Sequence, residues 1–152
     1  MSNKGNMNFQ LIDNTGAVEK ALDENVDRVL EMIGLQAAGY AALNLEDNPR
    51  RIDTGLLRNS ITYALAGQAP AKQTYSADTG DGSGRYQGKM AKSEGEHSVY
   101  VGTNVEYAPY VEYGAKLPSG ATMEANHFIK NAITEHMDEY KDMLERGLKG
   151  EL

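Results

Sequence analysis

The chain has 152 residues, no cysteine and a net charge of -7. That length suits a single domain with its own core, and the lack of thiols excludes a disulfide scaffold or a thiolate metal site. The acidic balance disfavours broad binding to phosphate backbones, with Arg50-Arg51 and the Lys89, Lys92 pair as the short cationic exceptions.

The first residues carry no apolar run after Lys4, so no secretory signal is expected. No stretch approaches the ~20 apolar residues of a membrane span. A soluble protein without membrane contact is expected.

The first element is a long helix over about 14–43. Val18, Leu22, Val26, Val29, Ile33, Ala37 and Tyr40 recur at steps of three and four, which places them on one stripe of a helix. Asp23, Glu24, Asp27, Arg28 and Glu31 fill the opposite face, and Asn14 or Thr15 suits the cap. Asn48-Pro49 marks a turn beyond its end.

A turn and strand follow over 53–65. Ile61, Tyr63 and Leu65 alternate with Ser60, Thr62 and Ala64, the period of a half-buried strand. Residues 66–96 are rich in Gly, Ser, Lys, Asp and Gln and show no period. A flexible loop is predicted there, since connections of that length are functional or disordered. Tyr75 and Tyr86 suit a short hairpin within it, and two strands alone make a marginal sheet, so at least one further strand there stays an open expectation, but the composition favours a loop.

A second strand with an aromatic turn covers 97–114. Val99 and Val101 share one face, and Tyr110 and Tyr113 suit one helical turn with Gly114 as its C-cap. The last helix is predicted over 126–149, capped by Asn126, with Ile129, Ile133, Met137, Tyr140, Leu144 and Leu148 as its stripe. Gly147 and Gly150 are expected to let its end fray. The sum is an α+β domain spanning 1–152, with a small antiparallel sheet packed by a long N-terminal and a C-terminal helix.

Catalytic patterns are thin. Asp53-Thr54-Gly55 and Asp78-Thr79-Gly80 are two Asp-Thr-Gly triplets, the signature of paired carboxylates sharing a proton. Neither follows an apolar strand that would bury it, and a turn in which Gly55 takes the unusual dihedral explains the first more simply. Gly88-Lys89 lacks the glycine and hydroxyl of a phosphate loop. His97, His127 and His136 have no metal spacing. Ser60 and His97 lack an elbow motif for a nucleophile and base, so Ser60 reads as a strand serine on a polar face. Tyrosine is in excess, nine against two Phe and no Trp. Tyr100, Tyr107, Tyr110 and Tyr113 crowd one segment, which fits an interface or a partial core equally well.

Three blocks carry a resemblance. They are Arg51-Ile52-Asp53-Thr54-Gly55-Leu56-Leu57-Arg58-Asn59-Ser60-Ile61, then Val101-Gly102-Thr103-Asn104-Val105-Glu106-Tyr107-Ala108-Pro109-Tyr110-Val111-Glu112-Tyr113-Gly114, then His127-Phe128-Ile129-Lys130-Asn131-Ala132-Ile133. The chain resembles, from about 15 to 145, the tail-completion or head-tail joining (neck) family of long-tailed phages and prophages. It departs from that pattern where Asn126, His127 and Asn131 replace prolines around Phe128, and where Ala115 to Gly120 replaces a short basic turn.

The resemblance implies a structural virion protein with no catalytic residue, cofactor or metal. It implies a homo-oligomeric ring, commonly a hexamer, at the head-tail junction of the virion, assembled in the host cytoplasm. Its partners would be the head connector or closure protein and the tail tube or tail terminator, with DNA passing through the lumen unbound. Tail terminator and head-closure protein are the neighbouring alternatives. An aspartic-type hydrolase and a nucleic-acid-binding module are the distant ones. The motif residues expected at interfaces are Asp53, Thr54, Gly55, Leu57, Arg58 and Ser60, then Gly102, Tyr107, Ala108, Tyr110, Glu112, Tyr113 and Gly114, and lastly Phe128. Asp53-Thr54-Gly55 would launch the first strand. Arg58 would pair with Glu112 or a neighbouring subunit. Residues 107–114 would pack on the sheet or the next subunit, and the 66–96 loop would order on assembly.

Overall fold

The computed structural model describes residues 13–46, 55–69, 74–76, 85–87 and 95–152, the strands at 74–76 and 85–87 as backbone only. The long helix is present as α1, Thr15–Glu46. Its capping oxygen comes from Asp13, whose carboxylate accepts the Thr15 backbone N–H at 2.9 Å. Hydrogen bonds from the Thr15 side chain and backbone hold the Asp13 carboxyl below its ordinary pKa.

The predicted stripe packs only from Val26 onward. Val29, Ala37 and Ala41 are buried, whereas Val18 and Leu22 are exposed. Every residue from 13 to 24 is exposed, because α1, about 48 Å long at 1.5 Å per residue, outruns the body it packs against.

The next segment differs from the expected strand. Residues Leu56–Ser60 form a short helix, α2, and the strand β1 is confined to Thr62–Leu65. Gly55, at φ 69, is the left-handed N-cap of α2. The alternation seen from Ser60 to Leu65 is therefore partly helical, and β1 is mostly buried on both faces: Thr62 and Ala64 are covered as well as Leu65.

β1 pairs antiparallel with β4, Val99–Gly102, with Tyr63 opposite Val101 and Leu65 opposite Val99. Between them the chain forms a second pair, β2 (Thr74–Ser76) with β3 (Arg85–Gln87), in which Tyr75 faces Tyr86. The 66–96 segment thus contains a hairpin's two strands where a loop was predicted. Of the rest, 66–69 and 95–96 are described, with the Ala66 N–H bonded to the Ser98 carbonyl at 2.9 Å, and the flexible character predicted for the others concerns residues outside the described ones.

Beyond β4 the aromatic turn is the helix α3, Ala108–Tyr113, with Pro109 in its first turn and Gly114 at its C-cap. A third pair, β5 (Ala115–Lys116) with β6 (Thr122–Met123), occupies the place of the short turn. The C-terminal helix is two helices, α4 (Phe128–Thr134) and α5 (Met137–Leu148). At the junction the His136 ring stacks on Tyr40 of α1, centroids 3.5 Å apart. The Tyr140 hydroxyl returns to the Ala132 carbonyl at 2.6 Å, satisfying an end-of-helix acceptor.

The break rotates the buried face. Phe128, Ala132, Tyr140 and Gly147 point inward, whereas Ile133, Met137 and Leu148 of the predicted stripe are exposed. Gly147 is a packing residue, not a fraying one: a Cβ there would lie 2.0 Å from Cγ2 of Val29. The core gathers Phe128 and Ala132 against Ala38, Ala41 and Leu45 of α1 and Leu57, Ile61, Val105, Ala108 and Val111. Alanines on α1 let α4 come close. The architecture is α+β, with α1 as its spine: the β1–β4 pair and both C-terminal helices pack against it.

Candidate functional site

The motif blocks meet at one corner, and buried polar side chains join them. Ser60 ends α2 with 1% exposure. Its hydroxyl donates to the Leu57 carbonyl at 2.7 Å and touches the Thr103 hydroxyl. Thr103 in turn accepts the Val105 backbone N–H at 3.2 Å. This chain of hydrogen bonds fixes the first block to the turn that opens the second. Ser60 is therefore a buried linking residue, not a strand serine on a polar face.

Glu112 fixes the second block to the third. It is 7% exposed. Its two carboxylate oxygens accept the backbone N–H groups of Ile129 and Lys130, each at 3.0 Å. The backbone adds Asn126 N–H to the Val111 carbonyl at 2.8 Å and His127 N–H to the Glu112 carbonyl at 3.1 Å. The position before α4 is His127, at φ 54 and with no capping side chain of its own. The first-turn donors of α4 thus find their acceptor on α3, not on Asn126 as expected. A carboxylate also suits the positive end of a helix.

Arg58 does not meet Glu112. Its guanidinium pairs with Glu46 of α1 at 2.6 Å. The Glu112 oxygens are already engaged with the α4 backbone.

Asp53 and Thr54 lie outside the described residues. Leu57, Ala108 and Phe128 are core residues, Phe128 with no exposure at all. Gly102 pairs with Thr62 across β1–β4. Gly114 is required twice over: φ is 78, and a Cβ would sit 2.7 Å from the Met123 carbonyl oxygen. Around this corner lies a cleft of about 350 Å³, bounded by Gly102, Val105, Ala108, Glu112, Tyr113 and Phe128.

The four crowded tyrosines lie outside the core, while others pack inward. Tyr63 and Tyr140 pack inward or half inward, and burial raises both phenols, Tyr140 to about 12. Tyr100, Tyr107, Tyr110 and Tyr113 are exposed. Along α3, Ala108, Val111 and Glu112 take the inner face and leave the aromatic rings outside.

The catalytic candidates come apart. The Ser60 hydroxyl is committed to Leu57 and Thr103. His97 sits over α1, each ring nitrogen 3.4 Å from a carboxylate, Asp23 and Asp27. The two do not form a nucleophile and base. Asp78 and the cationic Arg50, Arg51, Lys89 and Lys92 lie outside the described residues. Among the described residues no group of three His, Asp or Glu side chains is placed to hold a metal ion. Among them, too, no helix is long and apolar enough to cross a membrane.

Sequence reasoning missed Thr103 and Asn44, whose side-chain amide donates to the Phe128 carbonyl at 3.0 Å. It also missed Glu139, which accepts from Gln36 at 3.1 Å and Tyr40 at 2.8 Å and so ties α5 to α1. Single polar residues paired over such distances leave no local pattern to read.

Neither a curated protein nor a solved structure matches the chain. Residues 9–114, well over half of it, match the family described as "Bacteriophage HK97-gp10, putative tail-component". That span holds α1, the joined first and second blocks and the exposed tyrosines, and stops at Gly114 before the third block. On that match the chain belongs to the HK97-gp10-like family of phage tail components.

Proposed function

We propose that this tail component acts at the head-tail junction, as a ring that completes the tail and lets it dock on the filled head. The observation that carries the reading is the family match joined to the ordered resemblance of its blocks to neck proteins. The exposure of Tyr100, Tyr110 and Tyr113 supports it, since tyrosine is favoured where proteins meet. The net charge of -7 suits a lumen through which DNA slides without sticking. Its partners are then other virion proteins, the head closure protein on one side and the tail tube or terminator on the other. Its work is mechanical, and no residue is given a reaction.

An early stop codon in the gene, followed by electron microscopy of the lysate, tests this. DNA-filled heads beside detached tails of normal length are expected. Overlong tails would instead make the protein a terminator, and emptied heads a closure protein. Intact infectious particles would overturn a structural role in the neck.

A further inference from the structure

α1 is apolar on two sides. One side is buried in its own chain through Val29, Ala37, Ala41 and Leu45. The other shows Met32, Leu35 and Leu43, exposed by 40, 63 and 54%. With Gly39 these recur at steps of three and four, so they line up along the helix. Beside them runs a groove of about 370 Å³ between α1 and β1, with Leu35, Ala42, Ile61 and Tyr63 among its walls and Arg58 at its edge.

Gly39 tells what the groove is shaped for. Glycine inside a helix weakens it, so its presence needs a reason. Gly34 and Gly147 have one inside the chain: a Cβ would collide with Val99 and Tyr63, or with Val29. A Cβ at Gly39 would meet nothing within 4 Å. The missing side chain keeps the groove floor open to a group from outside.

A candidate matching group lies on the face of the sheet turned away from α1. Tyr63 and Val99 point at Gly34 of α1. The alternation along β4 therefore sends Tyr100 to the opposite face, where it is 53% exposed. Tyr110 and Tyr113, 58 and 75% exposed on the outer face of α3, are the other tyrosines of this segment turned outward, and the exposed Glu106 precedes them in the chain. The charges complement: the groove carries the Arg58 guanidinium, the tyrosine segment carries Glu106 and phenol rings. Glu46 holds one Arg58 nitrogen, and a guanidinium offers further N–H donors and a face that stacks on aromatic rings.

We propose that the α1 groove receives the 100–113 tyrosine edge of a second copy of this chain. Groove and edge are different surfaces, so the contact is heterologous. Each added copy leaves one groove and one edge free, the condition for a ring. The inference rests on the ring reading above and names the contact within it.

The absence of cysteine makes the test clean. Leu35→Cys is combined in one full-length chain with Tyr110→Cys, and in parallel chains with Tyr100→Cys or Tyr113→Cys. All positions are exposed, so the variants should fold. Purified protein and assembled particles are treated with a short bismaleimide and run on a denaturing gel. A ladder of multimers from a double variant is expected, with only dimers when the matching single variants are mixed. Dimers from Leu35→Cys alone would overturn the proposal in favour of α1 against α1. No ladder from any double variant, while an amine cross-linker still gives multimers of the wild type, would overturn this contact and leave the ring standing. No multimers of the wild type in solution or particles would remove the ring and the contact together.

Discussion

Glu112 shows how one side chain can hold two parts of the motif in register. Its charge stays buried because two backbone donors at the start of α4 surround it, which compensates the loss of water. Glu112→Gln keeps the shape but loses the charge and one acceptor, turning an amide group toward an N–H. A loss of about 1–3 kcal/mol is expected from urea unfolding. Glu112→Asp should lose a similar amount, because the shorter arm cannot reach both donors.

Tyr140 predicts an alkaline limit. Burial and the neighbouring Glu139 and Tyr40 raise its phenol to about 12, against an ordinary value of 10.0. The folded chain then keeps its proton where the unfolded chain has lost it. Stability is whole below pH 10 and declines as pH rises from about 10 to 12. Tyr63, raised by burial and by Glu31, acts in the same direction. Urea midpoints at pH 8 and pH 11 should differ less in Tyr140→Phe than in the wild type. At residue scale the excess of tyrosine was legible, but not its division: burial depends on which side of each helix faces α1. The role of Glu112 was invisible, since its partners lie 17 and 18 positions along the chain.

At the scale of elements, α1 and β4 could be read directly from period. The C-terminal helix could not. Ile129, Ile133 and Met137 form a consistent stripe only if the helix is continuous, and the turn between α4 and α5 resets the phase. No glycine or proline announces it. The Tyr40–His136 stack and the Tyr140–Ala132 hydrogen bond, both tertiary, favour it. The two alternatives separate by mutation. Ile133→Ser should change stability by no more than about 0.5 kcal/mol, as at an exposed site. Phe128→Ala should cost about 3–5 kcal/mol, as in a filled core. Gly147→Ala improves helix propensity but forces Val29 aside. A lowered melting temperature is expected, where a fraying glycine would give a raised one.

At the scale of the whole molecule, α1 serves as spine on one side and leaves an apolar flank on the other. That flank and the exposed tyrosines are the parts of an acidic protein that ask for partners. The acidic balance makes a separate prediction. Gel-shift titration with duplex DNA should show no complex at moderate salt, and any retardation at low salt should vanish steeply as salt rises.

Length, charge, the period of α1, the valine face of β4 and the ordered motif blocks were decided by the sequence alone, because each depends on neighbours three, four or two residues away. The class of fold and the family followed from them. Tertiary structure decided what those residues do. It made the Ser60 segment a helix end joined to Thr103, set Arg58 on Glu46 rather than Glu112, and divided the last helix. It also left Val18, Leu22, Met32, Leu35 and Leu43 of α1 turned outward. These outcomes depend on contacts between distant segments, where burial and hydrogen-bond satisfaction outweigh the local propensity that a linear pattern records.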